Sequence, residues 1–120
     1  MYQQVTIVGN VGRDPEMRYT ANGAGVCSFS VAVNEGRRDN QKTTWFTISA
    51  WNKLAETCAE HVKKGMLVLI VGRIEVDEYT GRDGKQRYTL KLTAREVKFL
   101  TRSDDGGQEY DVANDDDVPF

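Results

Sequence analysis

Over most of the chain, apolar and polar positions alternate with a period of two, as in strands with one covered face and one wet face. Five runs carry the pattern: Val5 to Val11, Val26 to Asn34, Thr43 to Trp51, Met66 to Tyr79 and Arg87 to Phe99. All are rich in Val, Ile, Thr and aromatics, the residues that fit a pleated, half-buried surface. Turn formers separate them: Asp14-Pro15, Asn22-Gly23, Gly36, then Gly81 with Asp83-Gly84. The last set joins two long runs and predicts an extended hairpin. One segment has the helical period instead. Lys53 to Lys64 places Leu54, Cys58 and Val62 on one stripe, with Asn52 as an N-cap and Gly65 as a stop. The expected class is all-β with one helix. Three strands, a helix and two long strands is the order of an OB-fold, a five-stranded Greek-key barrel, here with a long β-hairpin. Gly72 falls mid-strand, where such a barrel needs a bend.

The alternation also exposes a second face. In Thr43 to Trp51, Thr44, Phe46, Ile48 and Ala50 form the core side, leaving Trp45, Thr47, Ser49 and Trp51 opposite. Two indoles separated by hydroxyl residues do not make a second core. At about 3.3 Å per residue they stand roughly 20 Å apart, room for several nucleotides. The alternative is that each ring packs on a loop or another subunit. In the hairpin, Arg87, Thr89, Lys91, Thr93 and Arg95 share a face opposite Tyr88, Leu90 and Leu92. Cations beside exposed rings suit a phosphate backbone whose bases stack, although for each cation alone a solvated surface charge is the better reading. Tyr79 is a third candidate ring, with hairpin packing as its alternative.

Charge sharpens this picture. The net charge is −2, yet all 16 Lys and Arg stand at or before Arg102, against 11 of the 18 acids. The body therefore carries +5 and the seven acids beyond it −7. A basic body points to an anionic partner, and an acidic tail to a separate role. The order of chemistry at the end is specific. Asp115, Asp116 and Asp117 cannot support a core and predict disorder. Val118, Pro119 and Phe120 then offer an apolar ring beside a rigid residue, with a terminal carboxylate on the same residue as the ring.

Other classes find little support. His61 is the one histidine, and Cys27 and Cys58 match no metal-ligand spacing. They read as buried free thiols in a reducing compartment. No Ser-His-Asp set or phosphate loop occurs, so neither catalysis nor a cofactor is expected. No run is long and apolar enough to span a bilayer, and the first residues lack a signal-peptide pattern. The expected location is cytoplasmic.

At this point the residues resemble a known family. VTIVGNVGRDPEMRYTANGAGVCSFSVAVN is similar to the opening of bacterial-type single-stranded DNA-binding proteins. TTWFTISAWNKLAE resembles their aromatic strand and helix start, GKQRYTLKL their hairpin, and DDDVPF their acidic tip. The resemblance implies sequence-tolerant binding and protection of single-stranded DNA in replication, recombination and repair, in a nucleoid-associated homotetramer. The run Met66 to Val71, apolar on both faces, fits a tetramer or a dimer. It implies stacking by Trp45, Trp51 and Tyr79 and phosphate contact by Lys53 and Arg87; Lys91, Arg37 and Arg38 join them on charge. Arg37 stands where the family's best-studied type has a further tryptophan, and Glu75 to Glu78 is acidic where the family often is basic. The implied organisation is a DNA-binding OB-fold at 1–102, a short flexible linker at 103–114 and a tip at 115–120 that docks replication and repair proteins. Two rivals remain: an OB-fold accessory that uses its barrel for protein partners, and RNA as ligand, since stacking and phosphate contacts do not read the 2′-hydroxyl.

Overall fold

The computed structural model describes residues 1–36 and 39–100 and the backbone of Asp111–Val112. Strands dominate: β1 (Val5–Val11), β2 (Glu16–Tyr19), β3 (Gly25–Glu35) and β4 (Lys42–Trp51), helix α1 (Asn52–His61), then β5 (Leu67–Thr80), β6 (Gln86–Phe99) and a two-residue β7 (Asp111–Val112). All five expected strands are present, each boundary within one residue of the expectation. Two short ones lie outside that set. β2 pairs with β3 from Glu16↔Ser28 to Tyr19↔Gly25, where the sequence suggested only turns. β7 pairs with β6 at Lys98↔Val112 and Phe99↔Asp111, inside the stretch expected to be a linker.

The five long strands close on themselves. β1 runs antiparallel to β5 over Val5↔Gly72 to Asn10↔Leu67, and its last two residues turn to pair with β3 at Asn10↔Ala32 and Val11↔Val31. β3 continues to β4, β4 to β6 in parallel, and β6 back to β5. The circuit β1-β3-β4-β6-β5-β1, with a helix between β4 and β5, is the OB-fold connectivity.

Alternation decides what fills the ring. Cys27, Phe29 and Val31 of β3, Phe46, Ile48 and Ala50 of β4, Val68 and Ile70 of β5, and Leu92 of β6 all point inward and are buried. On β6 the phase then changes. Leu92 and Ala94 face in, but so do Val97 and Phe99, which stand on the opposite parity. A register slip makes this possible: Gly72 pairs with Ala94 and Val71 with Glu96, so Arg95 is the extra residue of a β-bulge. The strands pass so closely there that a Cβ on Gly72 would lie 2.0 Å from the Thr93 carbonyl oxygen.

Helix α1 closes one end of the core with Ala55 and Cys58. Its ends differ from the sequence expectation. Asn52 provides no side-chain cap. It adopts φ 57°, a left-handed conformation that asparagine tolerates, and so turns the chain from β4 into the helix. The helix stops at His61 rather than Lys64. Val62 is extended, which buries it in the core, and its N–H bonds the Cys58 carbonyl at 2.8 Å. The next amides bond elsewhere: Lys64 donates to Asp14 Oδ1 at 2.9 Å and Gly65 to the Val11 carbonyl at 2.8 Å. Among the described residues no helix is long and apolar enough to cross a membrane.

Cys27 and Cys58 are buried free thiols, as expected. Burial, and then the charge of Cys27, push the Cys58 thiol from 9.0 up to about 12. Between those values the unfolded chain holds fewer protons than the folded one, so stability falls as pH rises. Urea unfolding at pH 8 and pH 10 should show a loss of stability that Cys58→Ala partly removes. An identical loss in both proteins would contradict the assignment.

Candidate nucleic-acid interface

Residues paired across strands share a face, so the register assembles the outer surface directly. Thr47 of β4 lies between Ser30 of β3 and Lys91 of β6, and Lys91 lies beside Glu75 of β5. One step along, Ser49 lies between Ser28 and Thr93, and Thr93 beside Arg73. Trp45 stands opposite Ala32, and Trp51 opposite Val26. On the hairpin, Tyr79 stands opposite Arg87. Trp45, Trp51 and Tyr79 are 55%, 43% and 49% exposed, which takes all three rings out of the core. They occupy one continuous surface, about two strand spacings wide between β4 and β5.

Trp45 is also supported from below. A Cβ on Gly12 would lie 2.4 Å from its Cζ3 and 3.0 Å from Ser30 Oγ. The indole therefore rests on bare backbone, half covered and half free. Exposed surface and packing, posed as alternatives for this ring, are both satisfied.

The cations are less free than their number suggests. Lys91 Nζ lies 2.6 Å from Asp77 Oδ2, and Arg87 Nη2 2.8 Å from Asp83 Oδ2. The hydrogen bond that Lys91 donates to Asp77, and then the charge of that carboxylate, raise the Lys91 ammonium above its ordinary value, with Glu75 adding to the effect. Across the sheet on β2, Arg18 pairs with Glu16 at 3.1 Å. Lys53 sits apart from these rows. It is exposed at the start of α1 and lines an open groove of about 350 Å³ with Met17, Tyr19 and Glu56. Trp51, just before the helix, links the two regions.

Thus the structure brings Trp45, Trp51, Tyr79, Arg87 and Lys91 to one face and sets Lys53 at its edge. Arg37 and Arg38 lie outside the described residues, as do Asp115, Asp116, Asp117, Val118, Pro119 and Phe120. Sequence reasoning passed over Arg73. It is exposed on the same face, and the signal was available, since it shares parity with Tyr79. No group of His, Cys, Asp or Glu able to hold a metal occurs among the described residues.

A family model described as the single-strand binding protein family matches residues 2–100. A single-stranded DNA-binding protein of Neisseria meningitidis serogroup A is 40% identical over 115 residues, which cover 90% of this chain and 66% of that protein. One from Oceanobacillus iheyensis is 37% identical, covering 91% and 70%. Single-stranded DNA-binding protein 1 of Chlorobaculum tepidum is 33% identical, covering 97% and 75%. The chain thus spans about two thirds to three quarters of the length of these relatives.

The support under Trp45 can be tested without any ligand. In a Trp51→Phe background, Gly12→Ala should lift the indole into solvent and shift its emission to longer wavelength. Thermal stability should change little, because the far edge of an exposed ring can move. An unshifted spectrum would mean that the ring does not rest on Gly12.

Proposed function

The chain belongs to the single-strand binding protein family, and on that footing we propose that it binds single-stranded DNA without sequence preference and shields it in replication, recombination and repair. One observation carries the reading: Trp45 and Trp51 stand exposed on one polar strand face, with hydroxyl residues between them and cations alongside. Flat rings accept any base, and cations accept any phosphate, so this chemistry favours an unpaired strand over a defined site. Trp45, Trp51 and Tyr79 stack. Lys53, Arg87, Lys91, Arg37 and Arg38 contact phosphates. The protein is a binder and not a catalyst, and it works in the bacterial cytoplasm at the nucleoid.

The test is quenching of tryptophan emission by oligo(dT). Trp45→Ala and Trp51→Ala should each weaken binding by about 1–3 kcal/mol, a range taken from strand-binding proteins of this very class. Either variant binding like the parent would return that ring to packing. A preference for a defined duplex would overturn the whole reading.

Self-association into a homotetramer is part of the proposal. Val8 of β1 is 42% exposed on the outer side of its strand, an apolar residue open to a second copy. The tip, Asp115 to Phe120, is proposed to dock replication and repair proteins: the aspartates steer it to a basic surface and the Val-Pro-Phe end fills an apolar pocket. Removing Phe120 should abolish capture of such proteins from a bacterial lysate while oligo(dT) binding stays near the parent's. Capture of the same partners by the truncated chain would move docking to the ring.

A further inference from the structure

We infer that Arg73 and Arg95 form a phosphate-binding subsite that carries the DNA strand onward from Trp51, beside the N-terminal segment. The inference rests on the reading of this face as a single-stranded DNA surface, and it changes where the backbone is held.

Three cations of this face are already paired. Arg18, Arg87 and Lys91 each have a carboxylate within 3.1 Å. A phosphate reaching any of them must displace or share that carboxylate. Arg73 and Arg95 differ. Neither is paired with a carboxylate among the described residues, and both are exposed. Arg95 donates from Nη2 to Oε1 of Gln4, a neutral amide that leaves the guanidinium charge uncompensated. The nearest acid on the strand, Glu75, stands two residues from Arg73 and opposite Lys91.

Geometry brings the two arginines to one place. Arg73 is opposite Thr93, and Arg95, two residues on, is the unpaired residue of the bulge. Bulges re-aim side chains, and this one keeps Arg95 outward while its neighbours Ala94 and Val97 are buried. Together with Thr93, Tyr2 and Gln3 they line an open cavity of about 640 Å³. That is within the range of pockets that hold small ligands, so a phosphodiester and part of a nucleotide fit.

The walls are held in place. The Gln3 side chain bonds the Ile74 backbone twice, donating at 3.1 Å and accepting at 3.0 Å, as a further strand residue would. The Tyr2 hydroxyl donates to Gln4 Oε1 at 3.0 Å, so Gln4 ties Tyr2 to Arg95. Tyr2 remains 78% exposed and can offer its ring to a base. Two guanidinium forks, a threonine hydroxyl and a ring form a site suited to a phosphodiester with its base.

The site also lies where a bound strand would pass. On β4, Ser49 pairs with Thr93, so Trp51 lies two residues further along in the direction of Arg95 on the neighbouring parallel strand. One strand spacing, about 4.8 Å, separates the two backbones at the last pair, Ser49 and Thr93. A strand stacked on Trp51 therefore meets Arg95 and then Arg73 before any other uncompensated cation of the sheet.

The experiment uses the full chain and oligo(dT), reading log Kd against log salt concentration for the parent, Arg73→Gln and the double variant Arg73→Gln/Arg95→Gln. Each phosphate that is no longer neutralised should flatten the slope by about 0.7. The slope should therefore fall by about 0.7 in the single variant and about 1.4 in the double. Arg73 is exposed and makes no pairing that folding depends on among the described residues, so its single variant reads the subsite even if Arg95→Gln disturbs Gln4. If the parent binds and Arg73→Gln keeps the parent's slope, the subsite is overturned while the strand-binding reading stands. A parent whose emission oligo(dT) does not quench overturns both.

Discussion

The slip between β5 and β6 at Gly72 sets which way the rest of the ring faces. Before it, Leu92 and Ala94 fill the interior; after it, Val97 and Phe99 do. Without the extra residue Arg95, an unbroken period of two would turn Val97 and Phe99 to the outside. Fully burying a side chain of that size contributes about 1.5–3 kcal/mol. Two of them amount to a sizeable part of the roughly 5–15 kcal/mol that typically separates folded from unfolded chains. The slip in turn needs a residue without a side chain, because any Cβ at position 72 would meet the Thr93 carbonyl. One glycine thus allows the longest strand pair both to bend and to keep its apolar residues inside.

The outer face is the complement of that interior. Once alternate residues of β4 are committed to the core, Trp45 and Trp51 have nowhere to go but out. Gly12 then lets the first of them lie flat on backbone, where it loses freedom without losing its open side. The charges on the same face follow a different logic. Asp77 and Asp83 sit on the hairpin with Lys91 and Arg87 and hold them at close range. The result is a surface on which rings are open and several cations are already occupied.

Much of this was legible in the sequence, for physical reasons that also explain what was not. The five strands and the Trp45 face follow from a period of two, which survives any tertiary context in which one side is covered. The bulge left a trace as well, since the apolar parity of β6 changes between Ala94 and Val97, and only an extra residue reconciles the two halves. β2 was not legible. Its four residues, Glu-Met-Arg-Tyr, include only Met17 packed against the core, and pairing with β3 supplies the rest. The helix ends earlier than its period suggests because an extended Val62 fits the same stripe, and burial of that extended residue is what the ring required. The ion pairs lay beyond sequence reasoning. Lys91 and Asp77 are fourteen positions apart, and only the hairpin register brings them to 2.6 Å.

That register bears on how, under the proposed function, such a surface would tell an unpaired strand from a duplex. A duplex offers phosphates in abundance but hides both faces of nearly every base in its own stack. A surface of free cations would hold it almost as well as a single strand. Pairing Lys91 and Arg87 with carboxylates weakens the one interaction that a duplex can use. The exposed rings supply the interaction that it cannot, since only unpaired bases present a free face. The hydroxyls between them, Thr47, Ser49 and Thr93, act as donor or acceptor as the neighbouring group demands, so they support a bound strand without choosing its sequence. Carboxylates on a DNA-binding face then act as part of its selectivity rather than as a defect in its charge.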